Sequence, residues 1–225
     1  MSTMPGFNNL FTRCRGLLRK KQSKGHGVHS PFAFDLITSV IHSPYSFYAF
    51  SDIREILWQN GLDPNLITGF NRLSFRLVHY FQAGDILEIN SGTGLNTLFL
   101  TAPSSHIHCR CVEEDKDKIA VAERLLKQAG RIWERGTVSS LSACEGKGYD
   151  AVFINLTGKN VPDIPILTKL SHPNTFWVLH PIKKGRAKQF WNEIVHDEKA
   201  RITFDVKDTG IVFLRPDFHK ANYLV

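Results

Sequence analysis

The chain has 225 residues, of which 42% are hydrophobic and 22% are charged, and its formal net charge is +7. The length fits a single α/β domain with an additional segment, and the composition is ordinary for a globular protein and excludes a disordered or fibrous chain. No run approaches the roughly 18 apolar residues of a membrane span. No secretory signal pattern is present either, so we expect a cytoplasmic protein without a membrane span.

The first 82 residues carry the periodicity of helices. Apolar residues between Leu10 and Leu18 recur at three- and four-residue spacing, which predicts an amphipathic helix that ends before Gly25. The Ser-Pro pairs at 30–31 and 43–44 predict the starts of two more helices, because serine caps a helix and proline fits its first turn. A fourth helix is predicted over residues 66–81.

The predicted first helix also carries much of the positive charge. No acidic residue occurs before residue 25, whereas six basic residues do: Arg13, Arg15, Arg19, Lys20, Lys21 and Lys24. A solvated helix face is the more common explanation for such a segment, and contact with nucleic acid is the alternative.

From residue 83 the pattern changes to alternating strands and helices. The predicted strands cover residues 85–90, 106–113, 136–141, 149–155 and 175–180, and the helices between the first three cover residues 94–101 and 115–129. This alternation predicts a parallel sheet with right-handed crossovers. We therefore interpret residues 1–82 as a helical N-terminal cap and residues 83–225 as an α/β domain.

The C-terminal end departs from this alternation. After a helix over residues 184–196, strands at 200–206 and 210–215 are separated by only three residues, and so short a connection joins only antiparallel strands. The sequence thus predicts a Rossmann-like, mostly parallel sheet of seven strands that ends in an antiparallel hairpin. A plain dinucleotide-binding Rossmann domain has six parallel strands, so a nicotinamide-dependent oxidoreductase is disfavoured.

A glycine-rich loop follows the first predicted strand and opens a helix. Its candidate cofactor-binding residues, together with the acid that precedes them, are Glu88, Asn90, Ser91, Gly92, Thr93 and Gly94. Glycine lets the backbone approach a ligand closely, and a helix N-terminus offers unpaired N–H groups, so such a loop favours nucleotide binding. Tight strand-to-helix turns also use glycine for steric reasons alone.

An acidic residue ends the second predicted strand. Glu113 lies about twenty residues beyond the glycine-rich loop, where a carboxylate can accept hydrogen bonds from both hydroxyls of a ribose. Alternatively, Glu113 and Glu114 cap the helix that follows, since carboxylates favour the N-terminal end of the helix dipole.

These motifs resemble those of the class I S-adenosylmethionine (SAM)-dependent methyltransferases. In that superfamily an acid and spaced glycines follow the first strand, and here the matching residues are Glu88, Asn90, Gly92 and Gly94. The resemblance implies SAM as cofactor, with Glu88 and the backbone of residues 91–94 at its methionine end and Glu113 at its ribose. Residues 24–32 also resemble a segment that precedes the methyltransferase domain in a group of uncharacterised bacterial methyltransferase-like proteins.

Within the superfamily, the chain looks most like the catechol-type O-methyltransferases, but it lacks their metal ligands. Those enzymes end the fourth strand with a metal-binding Asp and follow the fifth with an Asp-Asn pair, whereas this chain has Asn155 and His180-Pro181. Loss of two hard anionic ligands favours a metal-independent enzyme. Cys109 and Cys111 have no second ligand pair at matching spacing, so we expect no metal site.

Asn155 and His180 are the candidate catalytic residues. A neutral imidazole at the end of the fifth strand is suited to act as a base, and the alternative is a structural histidine beside Pro181. Asn155 either bonds the acceptor or the cofactor, or caps the turn that precedes Thr157 and Gly158.

Three hypotheses for function follow from these residues. The preferred one is a SAM-dependent methyltransferase that acts on a small-molecule acceptor. The second is an RNA methyltransferase or RNA-binding protein that holds phosphates with its basic N-terminal segment. The third is a catalytically inactive, methyltransferase-like binding protein, which the replaced acids would permit.

Overall fold

The computed structural model describes residues 16–131, 133–136, 148–159 and 161–225. In these ranges, eight strands form one sheet. The strands are β1 (Asp85–Ile89), β2 (His108–Val112), β3 (Trp133–Gly136), β4 (Tyr149–Asn155), β5 (Ser171–His180), β6 (Ile202–Val206), β7 (Thr209–Phe213) and β8 (Ala221–Leu224). Their order across the sheet is β3-β2-β1-β4-β5-β7-β6-β8.

Eight α-helices accompany the sheet over the described part of the chain. They are α1 (residues 16–22), α2 (Pro31–Asp35), α3 (Tyr48–Gln59), α4 (Gly69–Phe81), α5 (Leu95–Thr101), α6 (Lys116–Gln128), α7 (Ile164–Lys169) and α8 (Gly185–His196). Helix α2 continues directly as a π-helix over Leu36–Ile41. Among the described helices, none combines the length and the apolar character that a membrane crossing requires.

The predicted Rossmann-like α/β fold is confirmed. Strands β1 to β5 pair in parallel, whereas β7 is antiparallel to both β5 and β6, so the terminal hairpin is present. The structure adds an eighth strand, β8, which pairs in parallel with β6. This strand has only four residues, none of them fully buried, so its sequence lacks the alternation of buried and exposed positions that predicts strands.

Two predicted boundaries differ from the structure. Strand β3 occupies Trp133–Gly136, whereas the predicted third strand covers residues 136–141, and all of that range beyond Gly136 lies outside the described residues. The pair Ser43-Pro44 does not start a helix. Helix α3 begins at Tyr48, because Phe47 is extended and packs its ring 4.7 Å from that of Phe75.

The N-terminal helices pack against one face of the sheet. Apolar residues of α2, its π-helical continuation and α4 share one buried cluster with strands β1, β2 and β4 to β7. A second cluster joins the opposite face to α7 and α8, and a third joins α3 to α4, α5 and α6. Residues between Ala33 and Val78 contribute to the main core, and the division of the chain into a helical N-terminal cap over residues 1–82 and an α/β domain stays a prediction.

Helix α1 is anchored to the last strands of the sheet. The Arg19 guanidinium contacts the Asp205 carboxylate at 2.8 Å and donates to the carbonyl oxygens of Asp205 and Val225. The Gln22 side chain accepts a hydrogen bond of 2.8 Å from the Leu224 N–H. The N-terminal and C-terminal parts of the described chain are therefore joined by polar contacts.

Candidate functional site

Four predicted site residues lie at one edge of the sheet. Asn90 follows β1 and Glu113 follows β2, while Asn155 and His180 end the neighbouring strands β4 and β5 and are paired in register. The carboxyl ends of parallel strands meet at the same edge, and this edge is where open α/β sheets bind ligands.

The loop between β1 and α5, residues 90–94, is here called the glycine loop. Asn90, Gly92 and Gly94 have φ values of 59°, 62° and 79°, so all three lie in the left-handed region, which asparagine tolerates better than most residues with a side chain. The loop is fixed to β2 because the N–H groups of Asn90 and Ser91 donate to the Val112 carbonyl at 2.8 and 3.2 Å. Thr93 is exposed.

Glu113 joins the glycine loop to the turn after β2. One oxygen of its carboxylate accepts a 2.9 Å hydrogen bond from the Gly92 N–H. The other accepts from the N–H groups of Glu114 and Asp115 at 3.0 and 3.1 Å. Capping of α6 belongs instead to Asp115, whose side chain accepts from two N–H groups of its first turn. A carboxylate offers about four acceptor positions, so Glu113 retains capacity for a ligand hydroxyl.

Glu88 lies beneath the glycine loop and is only 4% exposed. Its carboxylate accepts hydrogen bonds from the Asn96 amide at 3.0 Å and from the Thr97 hydroxyl at 2.5 Å. Burial raises the pKa of Glu88 to about 7, and these hydrogen bonds oppose the shift. Glu88 therefore supports the first turn of α5 from below, and its contact with the methionine end of a cofactor stays a prediction.

Asn155 and Asn90 connect two loops of the site. The Asn155 side chain accepts from the N–H and the hydroxyl of Thr157 at 3.0 and 2.7 Å, so it caps the turn after β4. The Asn155 carbonyl accepts a 2.9 Å hydrogen bond from the Asn90 amide. Gly158 packs directly on Asn90, because a Cβ at residue 158 would lie 2.1 Å from the Asn90 Cγ. A bond from Asn155 to a ligand stays a prediction.

His180 is held by one ring stack and by two polar contacts of its Nδ1. Its ring stacks on Phe70 with centroids 4.3 Å apart and planes at 12°. Its Nδ1 lies 3.1 Å from the Asp208 carbonyl oxygen and 3.1 Å from the Thr209 hydroxyl. A carbonyl only accepts, so the bond to Asp208 requires the hydrogen on Nδ1 and leaves the lone pair of the neutral ring on Nε2. Burial lowers the pKa of His180, although Asp208 opposes the shift.

A cleft of about 490 Å³ opens at this edge. It is lined by Asn90, Gly92, Glu113, Glu114, Asp115, Lys118, Asn155, Thr157, Gly158 and Lys159. Four of these were predicted as site residues. The others lie in the loops after β2 and β4 or, for Lys118, in the first turn of α6. Their positions shortly after the ends of parallel strands are the signal that could have identified them. Glu88, Thr93, Gly94 and His180 do not line this cleft, whereas Ser91 borders a smaller recess beneath the loop.

A second cleft of about 490 Å³ adjoins the first and shares Gly158 and Lys159 with it. Its remaining walls come from the loop after β4, the start of α7 and one face of α8, and they include Leu156, Val161 and Phe190. Lys159 and Arg186 supply positive charge, and Asp163 and Glu193 supply negative charge. The edge of the sheet thus offers two adjacent spaces, the first more polar and the second more apolar.

No protein-family model and no curated protein sequence matches the chain. Solved structures do match. The O-methyltransferase TomG from Streptomyces achromogenes in complex with SAM has 18% identity and a TM-score of 0.56, covering 80% of this chain and 95% of that one. An O-methyltransferase from Bacillus cereus with S-adenosylhomocysteine (SAH) has 17% identity and a TM-score of 0.55, covering 80% and 97%. An SAH-bound methyltransferase from Podospora anserina has 13% identity and a TM-score of 0.57, covering 96% of this chain and 99% of that one. The chain therefore has the fold of these methyltransferases.

Proposed function

We propose that the chain is a SAM-dependent methyltransferase that acts on a small-molecule acceptor without a catalytic metal. The observation that carries this proposal is the contact between Glu113 and the Gly92 N–H on the wall of the first cleft. It brings an acid that suits a ribose together with a loop whose backbone suits the rest of the cofactor. The matching solved structures that contain SAM or SAH support the choice of cofactor.

The glycine loop and Glu113 have separate roles in this proposal. In this proposal the backbone of residues 91–94 faces the methionine part of SAM, because Gly92, on the wall of the cleft, has no side chain that would keep the ligand away. The Glu113 carboxylate accepts a hydrogen bond from the ribose with its remaining capacity. Asn155 lines the same cleft and is the candidate to bond the cofactor or the acceptor.

Methyl transfer requires few side chains. A lone pair on the acceptor attacks the methyl carbon, the sulfur–carbon bond breaks, and SAH leaves, while a base takes the acceptor's proton where there is one to lose. In our proposal this base is Nε2 of His180, which carries a lone pair when Nδ1 donates to Asp208. His180 lines neither cleft, so an acceptor that loses its proton to this ring has to extend to the end of β5, beside Asn155. Because burial lowers the pKa of His180, the ring stays neutral and able to accept a proton at pH 7.

The second cleft supports a small acceptor. Its volume lies within the range of roughly 300–1,000 Å³ that is common for small-molecule sites, and it adjoins the cleft that we assign to the cofactor. The basic N-terminal segment gives less support to RNA. Arg19 is engaged with Asp205, so three exposed lysines remain among the described residues of that segment: Lys20, Lys21 and Lys24.

Calorimetric titration of the full chain with SAM, SAH and NAD tests the proposal. We expect micromolar binding of SAM and SAH and none of NAD. Glu113→Ala should weaken SAM binding by about 10- to 100-fold, because a hydrogen bond to a charged group contributes about 1.5–3 kcal/mol. Glu113→Gln should weaken it less, and Glu123→Ala, which removes an exposed acid on α6 outside the cleft, should leave it within about threefold.

Three results would contradict parts of the proposal. Absence of SAM and SAH binding by the folded protein would rule out the methyltransferase. Binding without methyl transfer to any member of a panel of phenols, amines and carboxylic acids would favour an inactive binding protein. Binding of RNA that weakens steeply between low and high salt would favour the nucleic-acid hypothesis.

A further inference from the structure

A carboxylate and two thiols form a buried cluster below the glycine loop. Cys109 and Cys111 lie on β2, and Glu88 lies opposite Cys111 on the adjacent strand β1, so all three side chains project from the same face of the sheet. The two sulfur atoms are 3.8 Å apart, and the Cys111 Sγ is 3.9 Å from the nearer Glu88 oxygen. All three residues are buried.

The spacing of these atoms fits a tetrahedral ion. Two thiolates at the usual zinc–sulfur length of about 2.3 Å and at a tetrahedral angle are about 3.8 Å apart. The three donor atoms all lie within 4.8 Å of one another. A carboxylate shift of about 1 Å would bring the oxygen to the usual zinc–oxygen length of about 2.0–2.2 Å.

Neighbouring side chains hold the carboxylate ready for such a role. The Asn96 amide donates to Glu88, and its oxygen accepts a 3.2 Å hydrogen bond from the buried Asn71 amide. The Thr97 hydroxyl donates to the other Glu88 oxygen. Hydrogen bonds of this kind fix the orientation of a ligand and increase the affinity of a metal site.

A small recess borders the cluster and leads to the glycine loop. Cys111 and Thr97 lie on its wall together with Ser91 and Gly92. Its volume of about 10 Å³ is close to what one water molecule needs. A water there would supply the fourth ligand that three protein ligands leave open.

We propose that Glu88, Cys109 and Cys111 bind one zinc ion that ties β1 to β2 beneath the glycine loop. Two thiolates select a soft or borderline ion, and the carboxylate oxygen favours zinc over copper(I). None of the three residues lines the cleft assigned to SAM, so the ion is structural and the methyl transfer stays metal-independent. Spacing along the chain does not reveal this site, because its third ligand comes from a neighbouring strand.

Zinc content measured in a defined cysteine background tests the proposal. The chain has four cysteines, so the full-length Cys14→Ser/Cys144→Ser variant keeps only Cys109 and Cys111 as thiols. After expression with zinc and gel filtration without chelator, we expect about one equivalent by plasma mass spectrometry. Adding Cys111→Ser should lower this to less than about a tenth, and Glu88→Gln should weaken zinc affinity at least about tenfold.

Titration with Co²⁺ gives a second readout on the folded background protein. We expect a sulfur-to-cobalt charge-transfer band that saturates at one equivalent and disappears when zinc is added. Less than about a tenth of an equivalent of zinc together with no such band, in protein folded by circular dichroism, would overturn the proposal and leave a core of reduced thiols. This measurement decides the question even if Cys111→Ser fails to fold, and it does not depend on SAM binding.

Discussion

Alanine substitutions at Gly92 and Gly94, two positions of one loop, should affect SAM binding and stability differently. Each has a positive φ, so an alanine at either position costs about 1–2 kcal/mol of folding free energy. At Gly94 the added Cβ would also lie 3.1 Å from the Cβ and 3.3 Å from the Cα of Ala122 on α6. Overpacking of this kind costs typically about 1–3 kcal/mol more. At Gly92 the added Cβ meets nothing within 4 Å.

The two alanine variants should therefore behave differently. We expect Gly94→Ala to lose about 2–5 kcal/mol of unfolding free energy and Gly92→Ala about 1–2 kcal/mol. The order should reverse for SAM binding, because Gly92 lines the cleft assigned to SAM and Gly94 does not. Gly92→Ala should raise the Kd for SAM about tenfold or more, which corresponds to about 1.4 kcal/mol. Gly94→Ala should retain the Kd within about threefold wherever it is folded.

Urea unfolding followed by circular dichroism, together with calorimetry on the same preparations, measures both quantities. The matched pair controls for the common cost of a left-handed alanine, so the difference between the variants reports the contact with Ala122. Equal stability losses would refute the argument from close packing. A Gly92→Ala variant that binds SAM like the wild type would refute the assignment of this cleft to the cofactor.

Three further predictions concern individual contacts, two at the site and one between α1 and the last strands. Because the folded pKa of His180 lies below the unfolded value of 6.5, its contribution to stability is present above pH 6.5 and is lost as pH falls through the folded pKa. Glu88 and His42 also have shifted pKa values, so the quantity to follow in urea unfolding is the difference in unfolding free energy between the wild type and His180→Gln, which should decrease as pH falls below 6.5. Arg19→Ala leaves the Asp205 side chain, only 11% exposed, without its arginine, so it should cost about 2–3 kcal/mol, whereas Lys20→Ala should change the unfolding free energy by less than about 0.5 kcal/mol. Gly158→Ala should displace Asn90 and weaken SAM binding by about threefold to tenfold in calorimetry, and unchanged affinity would show that the two loops move independently.

The sequence predicts those parts of the fold that have local periodicity. Strands β1 and β4 and the terminal hairpin follow from runs of apolar residues, and the glycine loop follows from its two glycines directly after a strand. Strand β8 is not predicted, because its four partly exposed residues show no alternation of apolar and polar positions. The Arg19–Asp205 pair is not predicted either, because the partners are 186 residues apart and only the folded sheet brings them together.

The different roles of the acids after β2 also depend on contacts that only the folded sheet brings together. The sequence leaves open whether Glu113 binds a ribose or caps α6, since both roles need a carboxylate at that point. The structure assigns the cap to Asp115, whose side chain meets the first turn of the helix, and directs one oxygen of Glu113 to the Gly92 N–H. Only the relative position of β1 and β2 distinguishes these roles, and that position is a tertiary property.

The departures from the catechol-type pattern form one structural unit. Asn90 adopts the left-handed conformation, and its amide donates to the carbonyl of Asn155, the residue at which the resemblance would place a metal-binding acid. The Asn155 side chain is meanwhile used to cap the turn that carries Gly158, and Gly158 has no side chain that would collide with Asn90. These contacts hold the loop after β1 against the loop after β4. An aspartate at residue 155 would accept hydrogen bonds from the same Thr157 N–H and hydroxyl. Asn155→Asp is therefore expected to preserve the turn without creating a magnesium site.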